Sequence, residues 1–209
     1  MMTKRDAIPD IIVSRLPVYL QALEHLLEQE VSTTNSNQLG KMLGISPAQI
    51  RKDLSQFGGF GKQGTGYNIP YLIENLREIL KVKSVWDIVL IGAGDLGHAI
   101  ARYQGFTNRG YRIAAVFDVD PNVIGKKISG HVVRNTSEVT AYVKENHIYI
   151  AMLTVPAASA QQVAANLVEA GIKAILNYAP ITLDLPDSVR VEYIDPVLQL
   201  QHMTYYLDK

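Results

Sequence analysis

The chain contains no cysteine, which removes disulfides, thiol nucleophiles and thiolate metal or iron–sulfur sites. It carries no net charge, because 20 Lys and Arg balance 20 Asp and Glu. A uniformly basic coat for nucleic acid is therefore excluded, while a local basic patch is not. No apolar run approaches the roughly 18–20 residues of a membrane-spanning helix. The opening residues MMTKRDAIPD hold no signal-peptide core, and a cytoplasmic protein with no membrane partner is expected. What remains is 209 residues of ordinary globular composition, 47% hydrophobic and 19% charged. That is enough for one large domain or two small ones.

The balanced charge hides a local tilt. Between Lys41 and Tyr67, Lys41, Arg51, Lys52 and Lys62 face a single acid, Asp53. Leu16, Leu20, Leu23 and Leu27 predict a helix, with Ser14 as its cap and Pro17 in its first turn. Thr33-Thr34-Asn35-Ser36 reads as a polar break. A second helix over 37–43 stops at Gly44, and Ser46-Pro47 caps and opens a third over 47–56, burying Ile50 and Leu54. Two short helices joined by Gly-Ile-Ser make a helix–turn–helix.

Ser46, Gln49, Arg51, Lys52 and Ser55 on that third helix suit a recognition helix. Arg forks onto guanine, Gln onto adenine, and Lys and Ser reach phosphates. The following segment, 58–67, holds five glycines with Phe60, Lys62 and Tyr67. It reads as the hairpin wing of a winged-helix domain, with Lys62, Gly64 and Tyr67 as candidates for DNA contact and Tyr67 also able to pack at the wing's base. A fourth helix over 70–81 closes a domain of residues 1–83.

Residues 84–195 read as a Rossmann-like, doubly wound parallel sheet. The strand Asp87–Ile91 runs directly into Gly92-Ala93-Gly94-Asp95-Leu96-Gly97 and a helix that continues to about Tyr103. This is the Gly-x-Gly-x-x-Gly fingerprint in its required setting, with pyrophosphate expected at the helix N-terminus. A second strand, 112–117, ends at Asp118, which stands 21 residues beyond Gly97. A carboxylate there suits the adenosine ribose hydroxyls and favours NAD(H) over NADP(H). Further alternation gives a helix over 136–146, a strand over 147–153, a helix over 158–170 and strands over 172–176 and 189–194. Thr154 and Asn177, at strand C-terminal edges, are candidate contacts to the nicotinamide half, with loop capping the other reading of each.

The closing segment, 196–207, has no charged residue and is apolar around most of a helix. Such a helix must be buried, either on its own domain or, as favoured here, in a homodimer interface. No histidine sits in a catalytic frame. The Tyr205-x-x-x-Lys209 pair stands at the chain's end with no catalytic serine beside it, so no catalytic or metal-ligating residue is assigned. The cofactor then acts as a signal and the protein is not an enzyme. A dehydrogenase with an accessory winged domain and a coenzyme A-binding regulator are the alternatives.

Arg51-Lys52-Asp53-Leu54-Ser55 with the glycine wing, the glycine fingerprint, Phe117-Asp118, Leu153-Thr154-Val155-Pro156 and Leu176-Asn177-Tyr178-Ala179-Pro180 resemble the redox-sensing transcriptional repressors of the Rex type over essentially the whole length. The resemblance implies an α/β protein that acts as a homodimer, with a winged helix, a Rossmann domain and a domain-swapped C-terminal helix. It implies repression of respiratory and fermentative genes at palindromic operator DNA, relieved when NADH displaces NAD+. It also implies a switch in which Asp195 pairs with Arg15 in the DNA-binding state and with Tyr103 in the NADH state. Pro196 departs from the family pattern, where a larger apolar residue can lie near the nicotinamide.

Overall fold

The computed structural model describes residues 8–62 and 66–207. The chain divides into two compact units, residues 1–84 and 85–209.

In the first unit, α1 (Asp10–Val13) leads to α2 (Leu16–Glu28), β1 (Thr33–Thr34), α3 (Ser36–Leu43), α4 (Pro47–Ser55), β2 (Gly61–Lys62), β3 (Gly66–Asn68) and α5 (Ile69–Ile79). Ser14 does not cap α2. Its hydroxyl donates to the carbonyl of Ile11, and Arg15 occupies the cap position without a side-chain bond. The buried stripe of α2 is Leu16, Tyr19, Leu23 and Leu26, while Leu27 is exposed. The apolar face is thus rotated from the expected leucine line toward Tyr19.

Asn35 caps α3 by accepting from Asn37 N and Gln38 N. Gly44 ends α3 in the left-handed region at φ 67°, where glycine carries no Cβ penalty. Ser46 caps α4, accepting from Gln49 N at 3.2 Å. The expected polar break is in part a strand: β1 joins the antiparallel sheet β1-β3-β2, with Thr34 opposite Tyr67. Leu39, Ile50, Leu54, Tyr67, Ile69, Leu72 and Leu76 close the core of this unit. Each large side chain buried there contributes about 1.5–3 kcal/mol.

The second unit runs β4 (Trp86–Ile91), α6 (Asp95–Arg102), a short 3-10 turn, β5 (Tyr111–Asp118), β6 (Lys127–Ile128), β7 (His131–Asn135), α7 (Val139–Glu145), β8 (Ile150–Leu153), α8 (Ala157–Ala170), β9 (Ala174–Asn177), β10 (Arg190–Tyr193) and α9 (Pro196–Thr204). Seven strands lie in the order β10-β9-β8-β4-β5-β7-β6. All pair in parallel except β6 with β7. That hairpin is absent from the sequence reading, and the strands expected from 147 and 172 begin three and two residues later, at Ile150 and Ala174.

Alternate residues of β4 feed opposite cores. Val89 and Ile91 meet the side that holds Val143, Ala160, Ala164 and Leu167. Ile88 and Leu90 meet the side that holds Ile100 and Ala101. Helices therefore cover both faces, as a parallel sheet requires. The strand order reverses at β4, between β5 and β8, which is the switch point where such sheets bind ligands beyond their C-terminal ends. Within the single chain, no residue of α9 is buried, so of the two coverings open to it, packing on its own domain is not the one seen.

Candidate functional site

Two sites are built from these elements, one in each unit. At the end of β4 the chain turns through Gly92 at φ 102°. A Cβ on Gly92 would stand 2.5 Å from the carbonyl oxygen of Thr154, and one on Gly97 would stand 2.0 Å from that of Gly92. Neither position admits a side chain without moving backbone. Gly94 differs: it is exposed, and a Cβ there would meet nothing within 4 Å. Its space lies on the outer side of the turn.

Polar bonds hold the turn from both flanks. The Thr154 hydroxyl contacts the carbonyls of Ile91 and Gly92 at 3.0 and 2.8 Å. Asp118 accepts from Ala93 N through Oδ2 and from Asp120 N through Oδ1, at 2.5 and 2.8 Å. Helix α6 then begins at Asp95 with no side-chain cap. Its first N–H groups have no acceptor within the helix and aim where an anion would be held. Asp95 and Leu96 are exposed on the first turn, while Ala93 and Gly97 are buried. His98 approaches the carbonyl of Gly94 through Nδ1 at 3.0 Å, which packs it against the turn.

The expected nicotinamide contacts sort differently. The Asn177 amide is 1% exposed and fully engaged. It donates to the carbonyls of Ala179 and Ile181 and accepts from Ala179 N. Of the two readings open for Asn177, this geometry is the loop-capping one. The Thr154 hydroxyl is likewise spent on the glycine turn. Tyr103, at the end of α6, is 53% exposed and stacks edge-on with Phe106.

In the first unit, Arg51, Lys52 and Ser55 are exposed on α4. The Ser55 hydroxyl donates to the carbonyl of Lys52, and Arg51 Nη1 donates to Ser36 Oγ at 2.8 Å. Gln49 turns inward, its amide nitrogen donating to Asp53 Oδ1 at 2.6 Å. Tyr67 lies in the core at the base of the wing, and burial raises its phenol pKa, an effect opposed by the charge of Arg51. Gly64 and the Lys62 side chain lie outside the described residues.

Sequence reasoning passed over Asp53. It is wholly buried, yet it accepts from Arg15 Nε and Nη2 at 2.6 and 2.8 Å and from the Tyr19 hydroxyl at 2.6 Å. Burial alone would raise its pKa; the bonds from Arg15, Tyr19 and Gln49 and the charge of Arg15 outweigh that and lower it. Desolvation and the same carboxylate push the Tyr19 phenol well above its usual range. A signal was present: Ile50, Asp53, Leu54 and Phe57 share the i, i+3, i+4, i+7 spacing of a buried face. Of the expected switch residues, Arg15 is thus engaged within its own unit. Asp195 caps α9 by accepting from Val197 N at 2.9 Å.

A helix–turn–helix with a hairpin and a glycine-turn Rossmann sheet, joined on one chain, define a nucleotide-responsive DNA-binding protein class. Residues 7–55 match the family described as putative DNA-binding protein N-terminus, and residues 83–181 match the CoA binding domain family. The redox-sensing transcriptional repressor Rex of Chloroflexus aggregans is 47% identical over 99% of this chain and 97% of its own length. That of Brevibacillus brevis is 46% identical over 99% and 100%. The crystal structure of RSP in complex with β-NAD+ and operator DNA superimposes with a TM-score of 0.90 at 39% identity, covering 95% of this chain and 91% of that one. RSP with β-NADH gives 0.88 at 37% identity, covering 95% and 93%. The chain belongs to the Rex family of redox-sensing transcriptional repressors.

Proposed function

We propose that the chain binds palindromic operator DNA in the cytoplasm as a homodimer and leaves it when NADH replaces NAD+. The observation that carries this is the glycine turn, closed by Thr154 and Asp118, on the same chain as a recognition helix that exposes Arg51 and Lys52. Gly94 and the first turn of α6 would hold the pyrophosphate, and Asp118 would take the ribose hydroxyls with its remaining lone pairs. NADH and NAD+ differ at the nicotinamide, neutral in one and cationic in the other. Thr154 and Asn177 shape that end of the site, their side chains being engaged, and exposed Tyr103 senses the ring state.

Helix α9 leaves Val197, Leu198, Leu200 and Met203 each more than half exposed, which supports burial against a second copy. Asp195, at the start of α9, alternates between Arg15 and Tyr103 across that dimer. Major-groove half-sites about 34–36 Å apart set the geometry that NADH disrupts. A coupling of about 1–3 kcal/mol changes operator affinity roughly 5–150-fold. The relatives are named as transcriptional repressors, which supports a nucleotide that is read and not consumed.

A gel-shift titration with a palindromic duplex tests this. NADH releases the duplex at concentrations where NAD+ does not, and equal effects of the two nucleotides would overturn the reading. A coenzyme A-responsive regulator is the second reading, favoured by the match of residues 83–181 to the CoA binding domain family. Release by coenzyme A and not by NADH would establish it instead.

A further inference from the structure

The DNA-reading face holds its two versatile side chains in contrasting ways. Arg51 is exposed, but one of its terminal nitrogens, Nη1, is already fixed to Ser36 Oγ at 2.8 Å. Ser36 is 8% exposed and opens α3. Its hydroxyl has no part in capping, because Asn35 does that. Among the described residues, Nε and Nη2 of Arg51 have no hydrogen-bond partner. Those two nitrogens form the side edge of the guanidinium, a planar fork matched to the O6 and N7 acceptors of guanine.

Gln49 is the converse. Reading adenine requires both ends of its amide, the oxygen toward N6 and the nitrogen toward N7. Its nitrogen is committed at 2.6 Å to Asp53, a wholly buried carboxylate that would be left with one bond fewer if Gln49 swung out.

Resting on the operator-binding reading above, we propose that Ser36 is a specificity-determining positioning residue. By accepting from Nη1 it presents the Nε–Nη2 edge of Arg51 to a guanine, while Asp53 withdraws Gln49 from base reading. Fixing a long side chain before binding removes part of the rotamer entropy that would otherwise be lost in the complex. Without Ser36 the same arginine still attracts phosphates but spends less time in the geometry that reads a base.

The full chain first selects a palindrome from a randomised duplex pool; that duplex and a scrambled one are the probes. Ser36→Ala is expected to weaken the selected duplex about three- to tenfold, the worth of one hydrogen bond. The scrambled duplex and the salt dependence of binding should be unchanged, because the number of phosphate contacts is the same. Ser36→Thr, which keeps the oxygen, restores affinity. Replacing the contacted guanine with 7-deazaguanine removes N7 and should penalise wild type more than Ser36→Ala. Gln49→Ala should leave the selected base preferences intact.

Unchanged affinity in Ser36→Ala, equal losses on both duplexes, or a lost adenine preference in Gln49→Ala would each overturn the assignment. If Ser36→Ala lowers the melting temperature, Arg51→Lys decides. A deazaguanine penalty present in wild type and absent in Arg51→Lys supports the fork, and no penalty in wild type removes it. A wild-type chain that selects no sequence fails the operator reading itself, a result distinct from all of these.

Discussion

Two aspartates, one in each unit, do opposite kinds of structural work. The Asp53 carboxylate is wholly buried and, among the described residues, accepts from side chains alone: Arg15, Tyr19 and Gln49. Asp118 is half-buried and accepts from two backbone N–H groups. The first locks helix α4 to the start of α2 through groups that lose their partner together. The second pins a turn that Thr154 also holds from the other side. A buried charge tied to side chains is therefore a fixed strut, whereas one tied to backbone at the surface keeps lone pairs for a ligand.

Asp53→Ala is the severest way to break that contrast. It strands the buried Tyr19 hydroxyl and the part-buried Arg15 guanidinium, at about 1–3 kcal/mol for each group left without its acceptor. The single tryptophan, Trp86, lies in β4, so its fluorescence follows the second unit. Far-UV circular dichroism in urea should then show helices of the first unit melting early while the Trp86 transition stays put. Equal shifts of both signals would mean that the strut supports more than its own unit.

The same residue sets an acid limit. Its folded pKa lies below the ordinary value of about 3.9, so the unfolded chain takes up the proton first. The stabilisation is complete above about pH 4 and is lost as pH falls toward the lowered folded value. Tyr19 gives the opposite limb. Its pKa is raised, so its contribution is complete below the usual phenol value of about 10 and declines as pH rises above it. Melting of the first unit against pH should show both limbs, and Tyr19→Phe should remove the alkaline one and shrink the acid one, because the lost hydroxyl also helps to lower the Asp53 pKa.

A smaller effect is expected in the second unit from Gly97→Ala. The added Cβ would stand 2.0 Å from the carbonyl oxygen of Gly92, so the turn must shift, at about 1–3 kcal/mol. The Trp86 transition should move while the first unit holds. NADH affinity should fall with it. A variant that binds NADH as wild type does would show that the turn's shape is not what the nucleotide reads.

The glycine turn was legible in the sequence because its requirements are local: a strand, three glycines, a helix and an acid at the next strand's end. Helix α4 with its Ser46 cap was legible for the same reason. The Asp53 network was not, because its members lie 34 and 38 residues apart in the chain and an acid beside Arg51 and Lys52 reads as surface charge. The β6–β7 hairpin was hidden by its turn. Ser129 and Gly130 both have positive φ, 49° and 90°; Gly130 is the usual residue for that conformation, but serine at the first position is not. Helix α9 announced apolar character but could not say what would cover it.

The mildest comparison sets two forked arginine–aspartate pairs side by side. Arg112 holds Asp87 at 2.6 and 2.8 Å, matching the Arg15–Asp53 distances within the first unit. Bond length therefore does not separate them; solvent does. Asp53 has no exposed side-chain surface, whereas Arg112 is 64% and Asp87 32% exposed. Water and salt screen the outer pair, and either partner regains hydration when the other is removed. Arg112→Ala should thus cost less than about 1 kcal/mol, with a Trp86 transition barely displaced and a difference that shrinks further in high salt. A loss comparable to that of Asp53→Ala would mean that geometry, and not burial, governs how much such a fork contributes in this protein.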